Sequence, residues 1–313
     1  MNSDRDERNA RTYRVTGINL RSKPSGEADR MMTILTKEAG LIRVIAPSAR
    51  KQKSSLSGRS SLFVVNDLLI ARGKSMDKIT QAESIESFPK LALDIRKLTA
   101  SQYLAELALQ QAQSDQSQEG LFYLLMEHLH RLQAAAPGEI LARLTHAIYQ
   151  LLAIAGVAPQ MYRCCLSGEI LEPEVGNPVW RAAFSVEAGG AVTLAALAAW
   201  RSEQKGEVPE DDREIQAGSG AVTARAAVTR VAERPVRLYS PKQASRPTQL
   251  GAIQMTLMQQ LSGKELPYLD PETLPQGMNP DMALRSIERL LRSCAHYHFD
   301  RQIRSATLVD QLF

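Results

Sequence analysis

The strongest constraint on the fold is a change in hydrophobic period at Phe88-Pro89. Before this point, apolar and polar residues alternate in short runs separated by turn residues, which is the pattern of β-strands. After it, apolar residues recur every three or four positions, which is the pattern of amphipathic helices. A chain that places its strands first and its helices second belongs to the α+β class.

The β region contains five predicted strands. The first strand changes phase at Gly17, where a bulge or a sharp bend is expected. Lys23-Pro24-Ser25-Gly26 predicts a turn before the second strand. Five strands in about 75 residues, the first of them bent, favour a small closed or nearly closed barrel such as an OB-fold, with an SH3-like barrel as the main alternative. The predicted strands are 13–21, 31–36, 41–46, 62–72 and 78–85.

A basic loop follows the third predicted strand. Pro47 ends that strand because proline has no N–H to donate to the ladder. The residues from Arg50 to Arg59 then combine four cations with small Ser and Gly residues. Uncovered cations of this kind suit a phosphate backbone. A solvated surface loop that happens to be basic explains the loop alone equally well.

The basic excess of the chain is confined to its first quarter. Residues 1–86 contain 16 Lys and Arg against 10 Asp and Glu, a net charge of +6, whereas the remaining 227 residues have a net charge of −2. A localised excess of this size indicates a polyanionic partner.

The rest of the chain divides by composition and period. Helical stripes occupy two stretches, on either side of an irregular part and a segment that is poor in large apolar residues. Such a segment is expected to be exposed and disordered. The predicted divisions are a disordered lead-in 1–11, a β domain 12–87, a helical part 88–160, an irregular region 161–200, a disordered insertion 201–247 and a second helical part 248–313.

Several functional classes find no support in the sequence. It contains no phosphate-binding loop, no nucleophile elbow and no zinc-protease motif, so we expect a protein that is not an enzyme. No apolar run approaches the length of a membrane span and the N-terminus has no signal peptide, which predicts a soluble, cytoplasmic protein. The three cysteines have no spacing that suggests a disulfide framework.

Metal binding is also not expected. Cys164 has Ser167 where the second sulfur of a C-x₂-C pair would stand, and a hydroxyl is a poor zinc ligand. His128 and His130 are two residues apart on a predicted helix and point to different sides, while His146 is isolated. We expect these three to be surface or core-edge histidines.

A set of short motifs nevertheless resembles the bacterial RecO family of recombination mediators. The motifs lie in the barrel, in the helices, in the irregular region and near the C-terminus, and their order and spacing carry the resemblance. They are Glu27-Ala28-Asp29-Arg30, residues 36–43, Ala49 to Ser54, Ala82-Glu83 with Phe88-Pro89, Tyr103 to Leu107, Leu121-Phe122, Arg163-Cys164 with Gly168, Gly189-Gly190, and His298 to Arg301 with Arg304-Ser305.

This resemblance implies an N-terminal OB-fold, a helical domain and a zinc-finger-like region at 161–200. It also implies binding to single- and double-stranded DNA, annealing of strands coated with single-strand binding protein, loading of RecA together with RecR, and an association with the nucleoid. Many members of the family carry four zinc cysteines. This chain keeps Cys164, with Ser167, Thr193 and Ala196 at the matching positions, so no cofactor is expected. Pro47-Ser48 replaces the family's glycine before the basic loop.

Cations are the predicted DNA-binding residues, because the barrel region has few aromatic rings on which bases could stack. Tyr13 and Phe63 are the aromatic residues between positions 11 and 86, and Phe63 lies in an apolar strand that favours core packing. The predicted DNA-binding residues are Arg43, Arg50, Lys51, Lys53, Arg59, Arg72 and Lys74.

The resemblance further implies that the helical domain receives the acidic, apolar C-terminal tail of single-strand binding protein. Arg131 and Arg143, each beside a leucine-rich stripe, are the candidate tail-binding residues. Two alternatives stay open at this point. One is an RNA-binding OB-fold protein, and the other is a scaffold that does not bind DNA.

Overall fold

The computed structural model describes residues 11–206, 246–268 and 280–313. The predicted lead-in, apart from residue 11, lies outside this range, as does most of the predicted insertion. Residues 201–206 of the predicted insertion are described, and they are helical.

Five strands form a closed barrel, which confirms the predicted fold class. They pair in the order β1-β2-β3-β5-β4, and β4 returns to β1. Closure depends on a short parallel contact in which Val44 and Ile45 of β3 lie beside Asp77 and Lys78 of β5. This is the strand order of an OB-fold. The strands are β1 (Thr12–Ser25), β2 (Asp29–Thr36), β3 (Gly40–Ala46), β4 (Val64–Ala71) and β5 (Asp77–Ser87).

The first strand differs from its prediction in two ways. It continues through the predicted turn to Ser25, and its irregular pairing with β2 lies between Asn19 and Arg21 rather than at Gly17. Gly17 is instead a point of close approach, since a Cβ atom there would lie 2.6 Å from Cγ2 of Ile34. Strand β1 is thus long enough to pair with β4 along one half and with β2 along the other.

The barrel buries two apolar surfaces. Its interior is filled by side chains such as Met32, Val44 and Ile70, and the short helix α1 (Leu56–Arg59) adds Leu56 to this core. Part of its outer surface is also apolar and packs in the same cluster as the helices; it includes Ile18, Leu35, Phe63 and Val65. The second surface joins the barrel to the helical region through a continuous core.

Amphipathic helices form the larger core. Asp94 caps the first of them by accepting a hydrogen bond from the N–H of Arg96 at 2.8 Å. Gly156, at φ +73°, ends the third with the left-handed backbone that glycine favours. None of the helices in the described ranges is long and apolar enough to cross a membrane. The helices are α2 (Ile95–Gln111), α3 (Glu119–Ala134), α4 (Ile140–Ile154), α5 (Leu194–Gly206), α6 (Ala252–Gln260), α7 (Pro280–Phe299) and α8 (Ala306–Leu312), with 3₁₀ turns at Pro89–Leu93 and Pro137–Glu139.

The region predicted to be irregular contains a small antiparallel sheet. Its strands are β6 (Arg181–Ser185), β7 (Gly190–Val192) and β8 (Thr248–Gly251), in the order β7-β6-β8. Strands of three to five residues are too short to show a clear alternation. The third strand also lies more than 50 residues after the second in the sequence, so local patterns cannot reveal the pairing.

Two of the three helical histidines are more buried than predicted. His128 on α3 and His146 on α4 are buried against each other, with their ring centroids 5.7 Å apart in an edge-to-face arrangement. Burial lowers the pKa of His128 to about 3, so its ring is neutral at physiological pH. His130 is exposed on the other side of α3 and lies 3.0 Å from the carboxylate of Glu86.

The turn between β2 and β3 connects the barrel to the helices. Its residues 37–41 exchange hydrogen bonds with the loop 112–118 between α2 and α3. Leu41 N–H donates to the Gln113 carbonyl at 2.8 Å, and Gln118 N–H donates to the Lys37 carbonyl at 3.0 Å. The Ser117 hydroxyl donates to the same Lys37 carbonyl at 2.8 Å. We call this set of contacts the junction.

We expect Gly40→Ala to destabilise the protein by about 3 kcal/mol, because it combines backbone strain with a clash at the junction. Gly40 has φ +65°, and a Cβ atom there would lie 2.1 Å from the Gln113 carbonyl oxygen and 2.5 Å from that of Gln116. The measurement is urea unfolding. Gly26→Ala is the matched control, since Gly26 has φ +59° and a Cβ atom there would meet no other atom within 4 Å. Equal losses for the two variants would contradict a tight junction.

Candidate nucleic-acid interface

The candidate interface is the outer face of β2 and β3, between the β1–β2 loop and the β4–β5 loop. OB-folds bind oligonucleotides on this face and with these two loops. Arg43 is exposed in the middle of β3, because its neighbours Val44 and Ala46 belong to the barrel interior. Alternation along the strand therefore places this predicted residue on the outer face.

The basic loop is fixed beside the β1–β2 loop. Arg50 N–H donates to the Ala28 carbonyl at 2.8 Å, and Arg50 Nη1 donates to the Gly26 carbonyl at 2.8 Å. Lys51 and Lys53 are exposed and form no salt bridge with any described residue. Their ammonium groups are available to an anion at one end of the face.

Ser48 forms the turn at the start of the basic loop. It adopts φ +55°, in the left-handed region that glycine usually occupies. Its N–H donates to Oδ1 of Asp29 at 2.8 Å, which holds the strained residue in place. The chain thus makes a tight turn at the start of the loop.

Arg72 and Lys74 are exposed in the β4–β5 loop, at the other end of the face. The Arg72 guanidinium lies 4.8 Å from the centroid of the Tyr13 ring. The Tyr13 hydroxyl donates to Asp77 at 2.8 Å, and burial together with this bond raises its pKa. Tyr13 is therefore engaged by its neighbours and offers no free ring for a base.

Arg59, another of the predicted DNA-binding residues, is the last residue of α1. Its Nη1 donates to the Ser55 carbonyl at 2.7 Å, and its own carbonyl accepts hydrogen bonds from Asn19 and Asn66 on β1 and β4. It is thus at the end of the barrel that α1 covers. Phe63 lies in the turn before β4 rather than in the strand, but it is buried in the core shared with the helices, as predicted.

Strand register adds cations that the sequence did not reveal. Arg21 of β1 lies opposite Thr33 of β2, which in turn lies opposite Arg43 of β3. Lys23 and Lys78 are also exposed and belong to the next row of paired residues on the same face. Only the pairing of distant strands could have identified them, because none of the three is part of the basic loop.

The two predicted tail-binding arginines have different surroundings. Both form ion pairs one helical turn apart, Arg131 with Glu127 and Arg143 with Glu139. Arg131 also lines a groove of about 590 Å³ between α3 and the barrel, together with Lys37, Ile85 and Met126. Arg143 is on α4 and is not among the residues of this groove.

The region predicted to be zinc-finger-like has hydrogen-bonded turns at Cys164 and at Thr193. Ser167 N–H and Thr193 N–H donate to Cys164 Sγ at 3.4 and 3.3 Å, and Ala196 N–H donates to Thr193 Oγ1 at 3.2 Å. Burial raises the pKa of Cys164, but hydrogen bonds from Ser167 and from backbone N–H groups outweigh it and bring the pKa down to about 7. No cluster of three His, Cys, Asp or Glu side chains that could hold a metal occurs among the described residues. One thiolate does not fit a structural zinc.

We therefore expect the purified protein to contain less than one zinc per chain and to unfold at the same temperature with and without a chelator. The hydrogen bonds to Sγ and Oγ1, and the small apolar cluster of Cys164, Ala183, Val192 and Leu197, stabilise this region through contacts that need no metal. Metal analysis and thermal unfolding in EDTA are the measurements. One tightly held zinc per chain would contradict this expectation.

Comparisons with known proteins agree with this architecture. The family model of the N-terminal part of recombination protein O matches residues 11–88, and that of its C-terminal part matches residues 92–210. Proteins named DNA repair protein RecO are similar over nearly the full length. The one from Nostoc punctiforme is 46% identical over 97% of each chain. The one from Gloeobacter violaceus is 39% identical over 97% of this chain and 94% of its own. The chain therefore belongs to the RecO family of DNA repair and recombination proteins.

Proposed function

We propose that this protein is a non-enzymatic mediator that binds single- and double-stranded DNA on its barrel and anneals strands coated with single-strand binding protein. We further propose that it helps RecR to load RecA, and that it acts in the cytoplasm at the nucleoid. One observation supports the DNA-binding step most directly. Arg43, the basic loop and the β4–β5 loop surround one face of the barrel with exposed cations.

The chemistry of this face suits a protein that brings two strands together. Cations that contact phosphates do not read sequence and do not need unpaired bases. The same surface can therefore hold a single strand and then the duplex that forms from it. Such binding is expected to weaken steeply as the salt concentration rises, because counterions are released from the DNA.

An annealing assay tests this proposal. Complementary strands coated with single-strand binding protein are mixed with and without the protein, and duplex formation is followed by fluorescence. We expect clear acceleration by the wild type and little by a variant in which Arg50, Lys51 and Lys53 are alanine. Competition with RNA of the same length identifies an RNA-binding protein, which would prefer the RNA. No salt-dependent binding to any nucleic acid would indicate a scaffold.

The proposed docking of the acidic tail has its own test. The carboxylates of the tail must compete with Glu127 for Arg131 or with Glu139 for Arg143. We expect Arg131→Glu or Arg143→Glu to weaken binding of a tail peptide about tenfold. Removal of the competing charge, by Glu127→Gln or Glu139→Gln, should strengthen binding at the same arginine. Unchanged binding by all four variants would place the tail elsewhere.

A further inference from the structure

Two rows of paired residues cross the outer face of the barrel. The first row is Arg21, Thr33 and Arg43, on β1, β2 and β3. The second row is Lys23, Met31, Ile45 and Lys78, and it extends onto β5. Residues that lie opposite each other on neighbouring strands point to the same side of a sheet.

Both rows face outwards. Met32, Val44 and Ile79 alternate with the row residues along β2, β3 and β5, and all three belong to the barrel interior. Arg21, Lys23, Arg43 and Lys78 are exposed, as expected for the outer side. The inward and outward sets are thus separated cleanly by the strand period of two.

In the second row, two cations flank two apolar residues. Lys23 and Lys78 stand at its two ends, and the apolar side chains of Met31 and Ile45 stand between them and are only half-buried. With neighbouring strands about 4.8 Å apart, the two lysines are separated by roughly 14 Å. An apolar strip of this width, with cations on both sides, matches the chemistry of a single nucleic-acid strand, which has apolar base faces and an anionic backbone.

We propose that Met31 and Ile45 form a platform for the bases of single-stranded DNA, while the flanking cations hold its phosphates. This inference rests on the proposed function and names further residues of the same site. OB-folds usually stack bases on aromatic rings, but Tyr13 is engaged by Arg72 and Asp77 and Phe63 is buried. The thioether of Met31 is polarisable and adaptable, and sulfur makes favourable contacts with aromatic rings. It therefore accepts any base.

The platform distinguishes the two forms of DNA. Bases of a single strand can turn towards the protein, whereas those of a duplex are paired and stacked inside the helix. Duplex DNA thus contacts the cations alone. Met31 and Ile45 contribute to single-strand affinity, and Arg21, Lys23 and Lys78 contribute to the affinity for both forms.

The test measures the affinity for a single strand and for a duplex by fluorescence anisotropy over a range of salt concentrations. The platform variant is Met31→Gln with Ile45→Thr, which keeps side chains of similar size and the β-propensity of position 45. We expect single-strand affinity to fall about tenfold with an unchanged salt slope, and duplex affinity to stay constant. The cation variant is Arg21→Gln, Lys23→Gln and Lys78→Gln. It should lower both affinities and make the single-strand slope shallower by about two units.

A further variant adds an aromatic ring and is expected to gain affinity, a result that misfolding could not produce. Ile45→Tyr supplies a ring at the platform, and we expect it to raise single-strand affinity about tenfold without a change for duplex. Equal losses for both DNA forms in the platform variant, or no gain with Ile45→Tyr, would overturn the platform. If the wild type bound both forms and these variants behaved like it, the proposed function would stand and the platform alone would fall. A wild type that bound neither form would remove the proposed function itself.

Discussion

Replacing Arg50, Lys51 and Lys53 with alanine is expected to lower the affinity for single-stranded DNA about a hundredfold at about 0.1 M salt. Each neutralised phosphate on a single strand contributes about −0.7 to the slope of log K against log salt, so three lost contacts make the slope shallower by about two units. The plots of log K against log salt for the wild type and the variant converge near 1 M salt, where counterion release no longer drives binding. At a salt concentration about ten times lower, the two affinities therefore differ by about a hundredfold. Duplex affinity should fall as well.

The controls test whether the effect depends on where the removed cations lie or only on the total charge of the protein. The variant Arg201→Ala, Lys264→Ala and Arg285→Ala removes three exposed cations outside the barrel, and it should leave the slope unchanged. Tyr13→Ala should also have little effect on the slope. Because Arg50 holds the β1–β2 loop through the Gly26 carbonyl, Lys51→Ala with Lys53→Ala is measured separately. These two lysines should account for about two thirds of the change. A triple variant with the wild-type slope would place the DNA site elsewhere on the chain.

Arg292→Met is expected to destabilise the protein by about 3 kcal/mol, because it leaves the carboxylate of Glu288 buried without the cation that neutralises it. Glu288 has 2% of its side chain exposed and Arg292 has 14%, and both lie on α7. Arg292 Nε donates to Glu288 at 3.0 Å, and Nη1 donates to Asp310 of α8 at 2.7 Å. Despite burial, which lowers it, the bonds to both carboxylates raise the pKa of Arg292, so the guanidinium stays charged.

Urea unfolding measures this effect, and two further variants identify its cause. Arg289→Met removes a contact to the same Asp310, but Arg289 has 63% of its side chain exposed, so a loss of less than about 1 kcal/mol is expected. Glu288→Met combined with Arg292→Met removes both buried charges and should recover most of the stability. If the double variant were as unstable as Arg292→Met, lost packing rather than an unpaired charge would be the cause.

Hydrophobic period predicted the elements that carry the candidate site, and strand pairing determined which residues share it. The strand and helix patterns on either side of Phe88-Pro89 correspond to the barrel and the helices, because long amphipathic elements leave a clear signal. The strands β6, β7 and β8 left no such signal because they are short. The basic loop was visible because its cations are adjacent in sequence. Arg21, Lys23 and Lys78 were not, since only the register of β1, β2, β3 and β5 brings them together.

The remaining differences between the sequence predictions and the structure arise from contacts that the sequence pattern alone does not show. Arg59 belongs to the basic loop by sequence, yet it is the last residue of α1, where its guanidinium is bonded to the Ser55 carbonyl and its own carbonyl to Asn19. His128 and His146 lie on separate helices, and the packing of α3 against α4 buries one against the other. Cys164 was predicted to lack metal partners, but the hydrogen bonds that hold its turn depend on Thr193, which follows it by 29 positions.

The two strands of the candidate DNA face also connect this face to the helical region. Strands β2 and β3 carry Met31 and Ile45 near one end and Arg43 in the middle, and at the other end their turn is bonded to the loop between α2 and α3. Their pairing runs without a bulge from Arg30 opposite Ala46 to Thr36 opposite Gly40. The candidate DNA face and the helices are therefore connected through one regular pair of strands. If the barrel binds DNA as proposed, two molecules joined through their helical regions would hold two DNA strands in a defined relative orientation.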